Sequence, residues 1–337
     1  AQWEQVIAEA KKEAKVTAVT PSGEARRQLF TDFQTKYGIP VELLQGNGNA
    51  DLVPRIATER KAGQYLWDVV VHSPNSVYDG FEPLGAIDTL RPALLLPEVL
   101  DSDQWQGGFD AGWADKDKAY SYGFAAKALQ LVYVNRDAAP ESKLRSLDQL
   151  WEPQWKGKTA WQDPRAPSSG AFAAATLLKV DGEGKLRSFF RDQRPVLTRD
   201  FRQLAEWVVR GEYPVVFGLD VAVLNDLGSS GLNIKPIQPL DPANPATVTL
   251  SFGGSAVALF ARAPHPNAAQ LFINFVLSRE GQTTYSRVTG YNSRRTDVSI
   301  VDPTSVVNPK RQYINLSLEE NNPLTRQAVD IASELLK

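Results

Sequence analysis

The first 76 residues alternate three times between a short apolar run and a helical pattern, and that alternation commits this part of the chain to the α/β class. The apolar runs cover 16–20, 39–44 and 67–72, and are rich in Val, Ile and Leu. Between them, Ala25, Leu29, Phe33 and Tyr37 fall on one helical face, and Leu52 and Ile56 fall on another. Gly38 stops the first of these helices with Pro40 just beyond, and Pro54 sits in the first turn of the second. A leading helix over 2–14 groups Trp3, Ile7, Ala10 and Ala14. Strands joined by helices of this length pair in parallel through right-handed crossovers.

Each strand runs into a loop of small residues: Pro21-Ser22-Gly23, Gly46-Asn47-Gly48, and Ser73-Pro74-Asn75-Ser76. In an open parallel sheet these loops share one edge, where ligands bind. Each also leads into a helix start, whose free N–H groups and dipole favour an anion. The same residue types serve equally as tight turns and helix caps.

The pattern resumes in the second half. Strands are expected over 158–161, 195–198, 213–217, 234–237, 247–251 and 256–261, and helices over 171–180, 201–210, 221–227 and 267–277. The loop Asp163-Pro164-Arg165 leads to Ser168-Ser169-Gly170 at a helix start, with Arg165 suited to grip a carboxylate or phosphate. Gly218-Leu219-Asp220 precedes another helix, where Asp220 is placed to meet an amino group of a zwitterionic solute. Gly253-Gly254-Ser255 precedes the strand over 256–261, and Arg294 is a further candidate cation. Between the halves, the β-favouring segment 129–135 ends abruptly at Asn135-Arg136-Asp137 and reads as one strand crossing from one half to the other.

A chain of 337 residues exceeds the usual size of a single core, so two domains are expected. A net charge of -2 offers no basic field for nucleic acid or an anionic membrane. With no cysteine, thiolate metal sites and cysteine nucleophiles are excluded. No phosphate-binding P-loop, dinucleotide fingerprint, nucleophile elbow or zinc-protease motif occurs, and the two histidines, His72 and His265, form no metal pair in sequence. His72 ends a strand and is expected to be partly buried and hydrogen-bonded. Its ring should point away from Ser73, since neighbours on a strand face opposite ways. No catalytic residue, metal ligand or cofactor is assigned. The opening Ala1-Gln2-Trp3 is what cleavage of a signal peptide leaves, which suggests export.

The segment Ala263-Pro264-His265-Pro266-Asn267-Ala268-Ala269 and its continuation to Gln282, followed by Thr289-Gly290-Tyr291-Asn292-Ser293-Arg294-Arg295, resembles the family-1 extracellular solute-binding proteins of bacterial ABC transporters. Trp155-Lys156-Gly157-Lys158, Asp163-Pro164-Arg165 with Ser169-Gly170, and Tyr133-Val134-Asn135 fit the same pattern, nearest to the ferric-iron-binding-like branch. The resemblance implies a two-lobed periplasmic-binding-protein-like fold of type II, with a solute cleft between lobes that close by hinge bending. Lobe one is expected over 1–128 and 247–300, lobe two over 129–246 and 301–337, with crossings at 129–135 and 247–253. It also implies a monomeric periplasmic receptor that hands a small-molecule solute to a membrane permease. Iron binders of this branch use adjacent tyrosines after the strand matching 215–217, where this chain has Gly218-Leu219-Asp220. A small anion such as a carboxylate, phosphonate or phosphate ester is therefore expected in preference to iron. The expected ligand-binding residues are Ser22, Gly23, Gly46, Asn47, Gly48, Ser73, Arg165, Ser168, Ser169, Gly170, Asp220, Gly253, Gly254, Ser255 and Arg294. Ferric-iron transport is one alternative, and an enzyme or sensory domain on the same fold is another.

Overall fold

A computed structural model describes residues 2–46 and 48–336. The chain divides into two compact units, 1–127 with 251–309 and 317–320, and 128–250 with 310–316 and 321–337.

In the first unit, Val16–Thr20 is flanked by Val41–Gln45 and Val69–His72, both parallel to it. Val16–Thr20 and Val69–His72 are buried throughout, as strands covered on both faces are, whereas Val41–Gln45 at the edge exposes Glu42 and Gln45. The later strand Ala256–Phe260 joins antiparallel to Val69–His72, with Ala256 opposite His72. That register brings Gly253-Gly254-Ser255 to the edge where the parallel strands end. Ile87–Asp88 and Tyr122–Gly123 complete the sheet on the far side of Ala256–Phe260. Helix Gln2–Glu13 lies against Pro266–Leu277, and Arg27–Tyr37 adds Phe30 and Phe33 to the same layer. Each large apolar side chain withdrawn in this way contributes about 1.5–3 kcal/mol.

In the second unit, Thr159–Gln162 runs parallel to Val215–Phe217 and Val196–Thr198. Val132–Asn135 and Ile237–Pro239 extend this sheet antiparallel. Trp161 stacks on Phe217 with ring centres 4.1 Å apart, beside Phe189 and Phe190. The alanine-rich helix Ser169–Asp181 packs against Asn322–Leu335, its small side chains allowing close approach.

Three details depart from the sequence expectation. The crossing segment is two strands, Ala125–Gln130 and Val132–Asn135, because Leu131 redirects its hydrogen bonds: its N–H donates to the Thr247 carbonyl and its carbonyl accepts from Gly218. The strand expected over 234–237 forms at Ile237–Pro239. Residues 301–309 and 317–320 group with the first unit. Buried Asn292 ties the former by accepting from the N–H groups of Val301 and Asp302 at 3.0 Å each. The latter is tied by the Glu319 N–H donating to the Ala114 carbonyl and the Lys116 N–H donating to the Glu319 carboxylate.

Candidate functional site

The strand-end edge of the first unit gathers Ser22, Gly23, Gly46, Gly48, Ser73, Gly253, Gly254 and Ser255 from four separate stretches of chain. Asn47 lies outside the described residues. His72 organises much of this edge. Its Nδ1 accepts the Ser73 N–H at 2.8 Å, which leaves the ring proton on Nε2, directed at the Gly46 carbonyl 3.1 Å away. The ring therefore joins the ends of two neighbouring strands. Burial, helped by the charge of Arg26, lowers its pKa and keeps it neutral. The Ser73 hydroxyl lies 3.1 Å from His72 Nδ1 and 3.0 Å from the Ser76 hydroxyl. This corrects the expectation that ring and serine point apart. Ser73 follows the last strand residue, so the alternation of faces has already ended there.

Among these loops stands a residue that the sequence analysis passed over. Arg26 is half-buried just before helix Arg27–Tyr37, and its neighbour Arg27 is paired with Glu24. Arg26 itself makes no ion pair among the described residues. Its Nη2 lies 3.4 Å from the Tyr285 hydroxyl, a long contact, and its Nε is buried without any acceptor. The Tyr285 hydroxyl donates to the Gly254 carbonyl at 3.0 Å and lies 2.8 Å from the Ser255 hydroxyl. A Cβ at Gly254 would stand 2.6 Å from Arg26 Nη2, so a larger residue there would displace the tip of the guanidinium. Tyr291 closes over Gly253, and burial raises its pKa. The Thr20 hydroxyl, at the end of its strand, is also buried with no partner. Arg26 Nε and the Thr20 hydroxyl thus both lie at this edge without a partner among the described residues, as Arg136 Nε does in the second unit. A guanidinium with no carboxylate partner attracts an anion. The clue in the sequence was Glu24-Ala25-Arg26-Arg27, where one acid faces two arginines.

The candidates of the second unit find their partners within the chain. The Ser168 hydroxyl caps helix Ser169–Asp181, accepting the Ala171 N–H and donating to the Asp163 carbonyl. Ser169 donates to the Gly218 carbonyl at 2.6 Å, and the Gly170 N–H donates to the Gln162 side chain at 3.1 Å. Asp220 caps the next helix by accepting the Ala222 N–H. Arg165 grips Asp163 with Nε and Nη2, each at 2.9 Å, while Arg199 holds the same carboxylate at 3.0 Å. The Arg165 hydrogen bond, above all, holds the Asp163 pKa down at about 2. Arg294, in the first unit, is buried and donates to the carbonyls of Gly123, Gln106 and Gly108 between the rings of Trp105 and Tyr122. Burial lowers its pKa. The geometry thus gives Ser168, Ser169, Gly170, Asp220, Arg165 and Arg294 structural partners, and presents none of them as a spare donor like Arg26.

Among the described residues, no cluster of three or more His, Asp or Glu is arranged to hold a metal ion. No helix among them is long and apolar enough to cross a membrane.

Comparison with known proteins agrees with this architecture. The model of the bacterial extracellular solute-binding protein family matches residues 28–214. No curated protein matches the chain. Many solved structures share the fold. An ABC transporter from Clostridium perfringens superposes with a TM-score of 0.70 at 16% identity, covering 96% of this chain and 100% of the other. The Trichodesmium protein IdiA (FutA), in complex with iron and citrate ligands, gives 0.69 at 15%, covering 96% and 99%. Iron-bound HitA from Pseudomonas aeruginosa gives 0.60 at 18%, covering 96% and 100%.

Proposed function

The chain belongs to the bacterial extracellular solute-binding proteins, and from that premise we propose that it captures a small anionic solute for an ABC importer and passes it to the membrane permease unaltered. The family is one of transport proteins working outside the cytoplasm, not of enzymes. The solute class proposed is a carboxylate, phosphonate or phosphate ester, taken up by a monomeric receptor.

One observation carries the choice of an anion: Arg26 has a buried Nε without an acceptor and no acidic partner among the described residues. A bound oxyanion would accept from that Nε, with the Ser22 hydroxyl and the backbone around Gly23 and Gly254 as further donors. One charge-assisted hydrogen bond is worth roughly 1.5–3 kcal/mol, which corresponds to at least about a tenfold change in affinity. A thermal-shift screen of small acids, phosphonates and phosphate esters should yield a stabilising solute. Arg26→Ala should weaken it at least about tenfold in calorimetry while leaving the solute-free melting temperature nearly unchanged. Equal affinity in the variant would remove the basis for this reading.

A second reading is ferric-iron transport, favoured by the iron named for IdiA (FutA) and HitA. Against it stands the donor set, since the loop after Val215–Phe217 is Gly218-Leu219-Asp220 and supplies no tyrosine. Ferric citrate in the same screen separates the two. Stabilisation by the iron complex well beyond that by citrate alone would favour iron.

A further inference from the structure

The second unit contains a cavity of about 550 Å³ that the proposed solute site does not use. Arg165, Arg191 and Arg194 line it together with the apolar Phe190, Leu197 and Leu336. It is open to solvent, and its volume falls in the range of small-molecule sites.

The charges are unevenly satisfied. Arg165 is paired with Asp163, and Arg191 with the exposed Asp192. Arg194 makes no ion pair or hydrogen bond through its side chain among the described residues, so the cavity carries uncompensated positive charge. The backbone is unusual at the same place. Phe189–Gln193 is a π-helical turn, a form rare in general and frequent at functional sites. It ends on Arg194 at φ 50 and ψ 62, the left-handed region that non-glycine residues avoid. The Arg194 guanidinium is exposed and so is available to a partner from outside the chain.

We propose that this cavity binds a small amphipathic carboxylate, its head on Arg194 and its aryl or acyl body on Phe190, Leu197 and Leu336. A planar carboxylate matches the guanidinium fork, and the apolar floor rewards a body that a bare inorganic anion lacks.

The test uses the full chain, with 4-phenylbutyrate and its uncharged counterpart 4-phenylbutanol as probes in calorimetry. The acid should bind saturably, and the alcohol at least about tenfold more weakly. Arg194→Gly suits the left-handed backbone, so it should keep the melting temperature while weakening the acid at least about tenfold. Arg194→Gln should lose as much, Arg194→Lys should recover part of the affinity, and Arg26→Ala should bind the acid normally. Equal affinity for acid and alcohol, or undiminished binding by Arg194→Gly and Arg194→Gln, would reduce the cavity to an apolar dent with solvated arginines. Loss of binding in Arg26→Ala would move the acid to the edge of the first unit. Absence of saturable binding up to about 10 mM would also overturn the proposal.

Discussion

Arg165→Ala separates a ligand-holding arginine from a structural one. Read from sequence, Arg165 grips the solute, and its removal costs binding with little loss of stability. The structure gives the opposite expectation. Arg165 makes two hydrogen bonds of 2.9 Å to Asp163, whose side chain is only 3% exposed. The lowering of the Asp163 pKa from 3.8 to about 2 spans nearly two pH units, each worth about 1.36 kcal/mol, so all its causes together amount to roughly 2.5 kcal/mol. Part of this survives the substitution through Arg199 and the Arg165 backbone N–H. The guanidiniums also face water, 30% exposed for Arg165 and 77% for Arg199, so screening trims the rest. A loss of about 1–2 kcal/mol at pH 7 is expected from urea denaturation. The dependence on pH follows from the sign of the shift. A carboxyl with a depressed folded-state pKa stabilises the fold above its unfolded value near 4, and that contribution disappears as pH falls through about 2. The gap between native and variant should therefore hold at pH 6 and narrow steadily below pH 4. An unchanged urea midpoint at pH 7, or a gap as wide at pH 2 as at pH 6, would refute the pairing argument.

Gly170→Ala would put a Cβ 1.7 Å from the Gln162 carbonyl oxygen, an overlap with backbone that no rotamer relieves. It should cost about 3 kcal/mol or prevent folding, as read from soluble yield and thermal melting. Arg294→Ala strips hydrogen bonds from one buried and two part-buried carbonyls and leaves a void beside Trp105, with an expected loss of about 3 kcal/mol in urea; Arg294→Lys should recover only part of it, because an ammonium lacks the planar fork. For His72, burial lowers the folded-state pKa, so between that value and the ordinary one the unfolded chain holds more protons and stability falls as pH falls. His72→Asn should flatten this part of the melting-temperature profile between about pH 7 and pH 5.

The parallel strands of the first unit were legible because periodicity, helix stops and loop chemistry agreed along one stretch of chain. Val16–Thr20 formed where expected, and Val41–Gln45 and Val69–His72 formed within two residues of the expected bounds. Legibility failed where the outcome depended on a distant partner. Nothing in 129–135 announces that Leu131 will leave one sheet for another, since the cause is a pair of hydrogen bonds to Thr247 and Gly218. The strand expected over 234–237 moved to Ile237–Pro239 because its only partner, Val132–Asn135, pairs with that stretch. Helix Asn322–Leu335 was overlooked although Leu324, Ala328, Ile331 and Leu335 repeat at helical spacing.

The candidate site shows the same division more sharply. Serine and glycine corners before helices occur in both units, and composition gives no means of ranking them. What distinguishes them is whether each donor meets an acceptor from its own chain. In the second unit Gln162, Gly218 and Asp163 lie where they satisfy Gly170, Ser169 and Arg165. In the first unit nothing comparable reaches Arg26 Nε or the Thr20 hydroxyl. A donor that its own chain already satisfies offers less to a solute, whereas a guanidinium nitrogen buried short of an acceptor has lost hydration without replacement. Desolvating that nitrogen costs free energy in the empty protein, and a bound oxyanion would return it. On the function proposed above, the deficit would be a source of affinity, which is why Arg26, absent from the loop chemistry that sequence singled out, is the residue on which recognition is expected to turn.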